Sequence, residues 1–202
     1  ISNLNIKREE QLEPRADSLL ESSRSYGYDL KTALADIIDN SITAKAKNIW
    51  ILHDWNEKDS MIAILDDGNG MSEKELREAM RLGSVSPSED RETGDLGRFG
   101  LGLKTASLSQ CRRLTVSTKM KDIIDTRCWD IDHVRSTGKW SLMTYHDDHC
   151  ADYVKRIDVL SKGTLVIWQN LDRIISHNDA DDDFDPRNEF FKKIDESREY
   201  IS

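Results

Sequence analysis

Two side chains with complementary chemistry stand four residues apart in one amphipathic segment. Asp36 and Asn40 lie in residues 29–46, where apolar side chains recur at helical spacing and predict a helix. A separation of four places both side chains on one stripe of that helix. An asparagine oxygen is a neutral ligand for Mg²⁺, and a carboxylate can take the proton of an attacking water. The pair could share one ligand, although an exposed acidic helix face would explain it more simply.

A second candidate group follows a strongly apolar strand. Asp66 comes directly after residues 61–65, so its carboxylate lies at the edge of the predicted core and needs a hydrogen-bond donor. The exocyclic amine of adenine is such a donor. Gly68 and Gly70 let the backbone turn and approach a flat base, and Met71 offers an adaptable apolar surface. A tight turn before the next helix would also explain this sequence.

A glycine-rich segment supplies the third candidate. Residues 83–102 contain mainly Gly, Ser, Pro and charged side chains, and such a long connection inside a domain predicts a functional lid. The N-terminal end of the helix predicted over 103–110 would attract an anion. The glycine spacing matches neither a Walker A loop nor a Rossmann loop. The candidate phosphate-binding residues are Gly97, Arg98, Phe99, Gly100, Leu101, Gly102, Leu103 and Lys104, the lysine adding a positive charge.

The order of these motifs resembles that of the GHKL ATPases, which comprise gyrase, chaperone, histidine-kinase and MutL ATPases. The helix bearing Asp36 and Asn40 is followed by DDGNGM at 66–71, GRFGLGLK at 97–104 and GTLVIW at 163–168. Within the group the sequence is most similar to the MORC-like branch and its bacterial relatives. The resemblance covers about residues 28–171, which is most of the chain.

The resemblance implies a role for each motif, with ATP and Mg²⁺ as the cofactors. Asp36 stands at the general-base position, and Asn40 would hold Mg²⁺. Adenine would be bound by Asp66, Gly68, Gly70, Met71 and Thr164, and the phosphates by residues 97–104. The usual base of the group is Glu, and Asp36 is one methylene shorter, so slow hydrolysis is expected. Thr43 stands where an Asp is often found three residues after the asparagine.

The remaining pattern predicts an α+β fold. Helices early and strands late indicate a two-layer α/β sandwich, with helices on one face of a mixed, mostly antiparallel sheet. The resemblance implies the same architecture, the Bergerat ATP-binding fold. Residues 1–202 are expected to form one ATP-binding domain excised from a longer protein. Helices are predicted over 12–25, 29–46, 72–82, 103–110 and from 185 onwards, and strands over 48–55, 60–65, 113–118, 123–131, 140–146 and 164–169.

Composition narrows the functional classes. Hydrophobic residues make up 37% of the chain and charged residues 33%, with a formal net charge of −9. No apolar run approaches the roughly 18 residues that cross a bilayer, so we expect a soluble domain without a membrane partner. The three cysteines form no CxxC pair, which indicates reduced thiols in a cytoplasm. The negative charge indicates that this domain alone does not bind nucleic acid strongly.

The leading hypothesis is a domain that binds Mg²⁺-ATP and hydrolyses it slowly as a conformational or dimerisation switch. Its expected partners are a second copy of the protein, or a transducer or effector domain outside this chain. One alternative is a nucleotide sensor that does not hydrolyse ATP, because Asp36 replaces Glu. Another is a histidine-kinase-type catalytic domain, whose glycine box FGLGL would match, although no histidine precedes His53.

Overall fold

The chain folds around one five-stranded sheet. A computed structural model describes residues 10, 14–25, 27–82, 102–174 and 185–201. The strand order is β1-β2-β5-β3-β4, and every neighbouring pair is antiparallel. The sheet is therefore wholly antiparallel across these strands, where the sequence predicted some parallel pairing. The strands are β1 (Ile49–Asp54), β2 (Met61–Asp66), β3 (Arg113–Met120), β4 (Ile123–Asp130) and β5 (Gly163–Gln169).

Helices form the second layer, and the predicted α+β two-layer sandwich is confirmed. The larger core cluster joins six helices to side chains such as Ile62, Ile64 and Val166 on one face of the sheet. A smaller cluster on the opposite face joins α6 to Ala63 and Leu165, so the prediction that helices lie on one face does not hold for α6. The helices in the described part of the chain are α1 (Ala16–Ser23), α2 (Leu30–Thr43), α3 (Glu73–Ala79), α4 (Gly102–Gln110), α5 (Ile131–Thr137), α6 (Ala151–Asp158) and α7 (Pro186–Ile201).

Local sequence signals account for the helix boundaries near the site. Asp29 caps α2, because its carboxylate accepts a hydrogen bond of 2.9 Å from the backbone N–H of Thr32. The apolar stripe of α2 is buried against α4 and α7. Ser72 and Glu75 form a capping box at the start of α3. Among the described helices, none is long and apolar enough to cross a membrane.

The strand predicted over residues 140–146 is wrong. Met143 alone pairs there, through an isolated bridge to Cys128 with hydrogen bonds of 2.8 and 2.9 Å. The apolar residues of this segment pack individually, since Trp140 meets the ring of Trp129 edge-on and Leu142 rests on the larger core. Alternating apolar residues thus cover the sheet edge without extending it.

Two short helices were missed by the sequence analysis. The segment after β4 turns into α5 because the carboxylate of Asp130 accepts hydrogen bonds from the N–H groups of Asp132 and His133. Gly138 ends this helix in the left-handed conformation. Asp147 caps a short 3-10 turn that runs directly into α6. Both capping aspartates are visible in the sequence, but the strand-like pattern beside each of them obscures the helix start.

Candidate functional site

Asp66 is a buried carboxylate at the end of β2. It is only 5% exposed and lies on the helix-covered face of the sheet, with Ile62 and Ile64. One carboxylate oxygen accepts a hydrogen bond of 2.9 Å from the hydroxyl of Ser41, and the other accepts one of 2.8 Å from the N–H of Gly68. These two donors reach different oxygens of the carboxylate, and a carboxylate oxygen can accept further hydrogen bonds.

The electrostatic environment of Asp66 favours a further donor. Burial raises the pKa of Asp66, while hydrogen bonds from Gly68, Ser41 and the backbone of Thr164 oppose that rise. The charge of the neighbouring Asp67 adds to the rise. A buried carboxylate with an elevated pKa gains from a neutral N–H donor that satisfies its remaining lone pairs.

The loop after Asp66 is packed backbone to backbone against its neighbours. A Cβ atom at Gly70 would lie 2.2 Å from the carbonyl oxygen of Lys119, and Gly70 has a φ of +67°. A Cβ atom at Gly163 would lie 2.0 Å from the carbonyl oxygen of Asp66, and Gly163 has a φ of +151°. No other residue fits either position without moving the backbone. Met71 is buried in the larger core at the end of this loop.

The helix α2 brings a second group of polar side chains to the same region. Asn40 is 9% exposed, and its Nδ2 atom is buried with no hydrogen-bond partner in the described part of the chain. Asp36, one turn earlier, is half-buried. A Cβ atom at Gly102 would lie 3.7 Å from the Oδ2 atom of Asp36, so the N-terminus of α4 adjoins this carboxylate. Burial, followed by hydrogen bonding to Asp36, raises the pKa of Tyr28 beside it.

Ser41 joins the two halves of the site. It follows Asn40 on α2, is buried, and donates its hydroxyl to Asp66 25 residues later. Its position fits the spacing of the apolar stripe of α2, so periodicity alone assigns Ser41 to the core. Its position next to Asn40 is the signal that could have identified it. Through Ser41 the helix carrying Asp36 and Asn40 is fixed to the strand end carrying Asp66.

The remaining candidate binding residues differ in how close they lie to Asp66 and Asp36. Thr164 is half-buried and pairs directly with Asp66 across β2 and β5. Leu103 is part of the larger core. The ammonium group of Lys104 is buried and donates to the carbonyl oxygen of Arg81, and burial lowers the pKa of Lys104 to about 8. Gly97, Arg98, Phe99, Gly100 and Leu101 lie outside the described residues.

The amide group of Asn40 is compatible with the implied magnesium ion. Its oxygen is a ligand type that Mg²⁺ accepts. Its nitrogen is buried without a hydrogen-bond partner among the described residues, so the amide group still lacks part of its polar contacts. The half-buried carboxylate of Asp36 lies one turn away on the same helix. Together with the N-terminus of α4, these groups could hold a metal ion and an anion side by side.

Sequence comparison matches this arrangement to a known family. The profile of the histidine kinase-, DNA gyrase B- and HSP90-like ATPases matches residues 28–164, which span the strand ends and helices of the site. The chain belongs to this family. The resemblance to GHKL ATPases is thereby confirmed, and membership supports ATP binding and ATPase activity in general terms.

Two relatives of this ATPase family come from the MORC group. The chain is 29% identical over 118 residues to Protein MICRORCHIDIA 4 of Arabidopsis thaliana, covering 56% of this chain and 14% of that protein. It is also 29% identical over 93 residues to ATPase morc-1 of Caenorhabditis elegans, covering 46% of this chain and 10% of that protein. The chain thus aligns with about a tenth to a seventh of the length of these relatives, and the similarity supports the MORC-like assignment.

Proposed function

We propose that this domain binds Mg²⁺-ATP, hydrolyses it slowly, and uses the bound nucleotide as a switch. The observation that carries the proposal is the buried Asp66 carboxylate, held by Ser41 and Gly68 at the end of a core strand. In this proposal the exocyclic amine of adenine donates to Asp66. Gly68, Gly70 and Met71 surround the base, and Thr164 supports it from the neighbouring strand.

The phosphates would lie toward α2 and the start of α4. Asn40 would hold Mg²⁺, which neutralises phosphate charge when bound. The first N–H groups of α4, at Gly102 and Leu103, would donate to the phosphates, and residues 97–101 would continue this contact as the sequence indicates. The ammonium group of Lys104 would have to leave the carbonyl oxygen of Arg81 to take part.

Asp36 would act as the general base. Its carboxylate takes a proton from a water molecule while the water oxygen forms a bond to the γ-phosphorus atom. The bond between that atom and the β–γ bridging oxygen breaks, giving ADP and phosphate. The side chain of Asp36 is one methylene shorter than that of Glu, so it must hold the water with altered geometry. Slow turnover follows from this difference.

The switch role concerns what the nucleotide changes elsewhere. Residues 83–102 connect α3 to α4, whose N-terminus adjoins Asp36. In the proposal they act as an ATP lid, and the closed lid favours self-association or docking of a transducer or effector domain. Because the chain aligns with a small part of its MORC relatives, such a partner domain would belong to the longer protein.

Hydrolysis is tested by three substitutions on α2, made in the intact protein. Asp36→Asn should leave Mg²⁺-ATP binding nearly unchanged and reduce phosphate release by about 10²–10⁴-fold, since a general base acts mainly in the transition state. Asn40→Ala should weaken Mg²⁺-dependent binding. Asp39→Asn is the matched control, because Asp39 is exposed on the same helix. Phosphate release that survives Asp36→Asn but is lost in Asp39→Asn would identify Asp39 as the base.

A further inference from the structure

Thr118 is a buried residue that joins two walls of the proposed base site. It lies on β3 and is 0% exposed. Its Oγ1 atom accepts a hydrogen bond of 2.8 Å from the N–H of Met71 and donates one of 3.1 Å to the carbonyl oxygen of Gly163. One hydroxyl group therefore connects the loop after Asp66 to the turn that begins β5.

The strand register places Thr118 in line with the adenine-binding candidates. Thr164 pairs with Asp66 on one side and with Thr118 on the other, so the three residues stand side by side on β2, β5 and β3. Because they alternate in step with Ile64, Val166 and Val116, all three belong to the helix-covered face. Thr118 is therefore separated from Asp66 by one residue of this row, Thr164.

Close contacts between main chains restrict the positions of the loop after Asp66 and the turn at Gly163. Gly70 approaches the carbonyl oxygen of Lys119, and Gly163 approaches that of Asp66, closely enough that neither tolerates a Cβ atom. The separation of the loops is then set by contacts between main chains, together with the two hydrogen bonds of Thr118. Without the hydroxyl, the N–H of Met71 would be buried with no acceptor, and the loop would have to shift to regain one.

We propose that Thr118 is a positioning residue for the adenine base, fixing Met71 and the Gly163 turn relative to Asp66. The inference rests on the proposed function. Thr118 does not reach the base itself and acts through the two walls. Its loss should therefore reduce the selectivity for an adenine amine as well as the affinity for nucleotide.

The decisive comparison is between Thr118→Ser and Thr118→Ala, which both lose the methyl group and differ only in the hydroxyl. Thr115→Ala is the control, because Thr115 is equally buried on β3 but faces the other side of the sheet. Equilibrium binding of ATP, ADP and inosine triphosphate is measured well below each melting temperature. Inosine triphosphate has a carbonyl in place of the adenine amine, so the ratio of ATP to inosine triphosphate affinity reports the alignment of Asp66.

We expect Thr118→Ala to weaken ATP and ADP binding equally, by about tenfold, which corresponds to losing the hydrogen bond between the adenine amine and a misaligned Asp66. The affinity ratio of ATP to inosine triphosphate should fall with it. Thr118→Ser and Thr115→Ala should keep both the affinity and the ratio of the wild type. Asn40→Ala should weaken ATP binding in Mg²⁺ while preserving the ratio.

Three results would overturn the inference. Equal affinity and equal ratio in Thr118→Ser and Thr118→Ala would show that the hydroxyl is irrelevant to the base. An unchanged ratio with weaker binding would make Thr118 merely structural. Wild-type protein that binds none of the three nucleotides would overturn the proposed function together with this inference. If Thr118→Ala does not fold, Thr118→Val, which keeps the volume and lacks the hydroxyl, is compared with the wild type instead.

Discussion

At the residue scale, environment separates aspartates that look alike in the sequence. Asp66 and Asp67 are neighbours in the sequence. Asp66 is buried and accepts a hydrogen bond from the hydroxyl of Ser41. Asp67 accepts hydrogen bonds from the backbone N–H groups of Lys47 and Asn48. Burial raises the pKa of Asp66, while hydrogen bonds to Asn48 lower the pKa of Asp67. Of the two, only Asp66 is buried, which is why the base assignment rests on it.

The raised pKa of Asp66 predicts how base binding depends on pH. The carboxylate form accepts the amine hydrogen bond, so protonation of Asp66 should weaken binding. Because the pKa is raised, affinity should begin to fall at a higher pH than the ordinary aspartate value of about 3.9 would give. Adenosine is the ligand to titrate, since it has no phosphate group. Asp66→Asn should remove this pH dependence, and a wild-type affinity that stays constant down to the ordinary aspartate range would contradict the assignment.

At the element scale, the first turn of α4 makes contacts in two directions. Its N-terminus adjoins Asp36 through Gly102, whereas Lys104 turns toward the end of α3 and is buried there. The helix was predicted from its residue types, and its start was placed within one residue. The direction of Lys104 was not predictable, because it depends on where α3 ends in space.

The burial of Lys104 predicts a pH-dependent stability. The folded pKa of about 8 lies below the ordinary value of 10.5, so between these values the unfolded chain binds a proton that the folded chain does not. The free energy of unfolding should therefore rise with pH across that window, and below pH 8 the full cost of burying the charge applies. Lys104→Met should be more stable than the wild type at pH 7, by on the order of 1–3 kcal/mol, with the difference shrinking toward pH 10.5.

Urea unfolding at a series of pH values measures this difference directly. Lys74→Met is the control, because Lys74 is exposed on α3. At each pH, the free energy of unfolding of the variant is subtracted from that of the wild type. This difference cancels the contribution of the other lysines and of the tyrosines. A Lys104→Met difference that is constant from pH 7 to pH 10.5 would show that the ammonium group carries no burial penalty.

Elements with strong local signals were predicted well, and those defined by tertiary context were not. The apolar stripe and cap of α2 gave its position, and the apolar run of β2 placed Asp66 at a strand end. The segment around Trp140 has the alternation of a strand, but its side chains pack individually over the sheet edge. Alternation records which residues are buried and does not record whether a partner strand is present.

At the scale of the whole molecule, the site is assembled by strand order. Antiparallel pairing of β2 with β5 brings the end of one strand to the start of the other, and β3 continues the row. Asp66, Thr164 and Thr118 become neighbours for that reason alone. The motifs marked Asp66 and Thr164 as candidates, but strand order cannot be derived from a single sequence, so the position of Thr118 and the contact between Ser41 and Asp66 emerged only from the structure.

The central claim is that Asp66 binds the adenine of ATP, and calorimetric titration of ATP into three proteins tests it most directly. The wild type should bind. Asp66→Asn should lose about tenfold or more in affinity while keeping its fold, because a charge-assisted hydrogen bond in a buried site is lost. Asp67→Asn, which removes the same charge one residue away, should bind like the wild type. Equal ATP affinity in the wild type and Asp66→Asn would contradict the account.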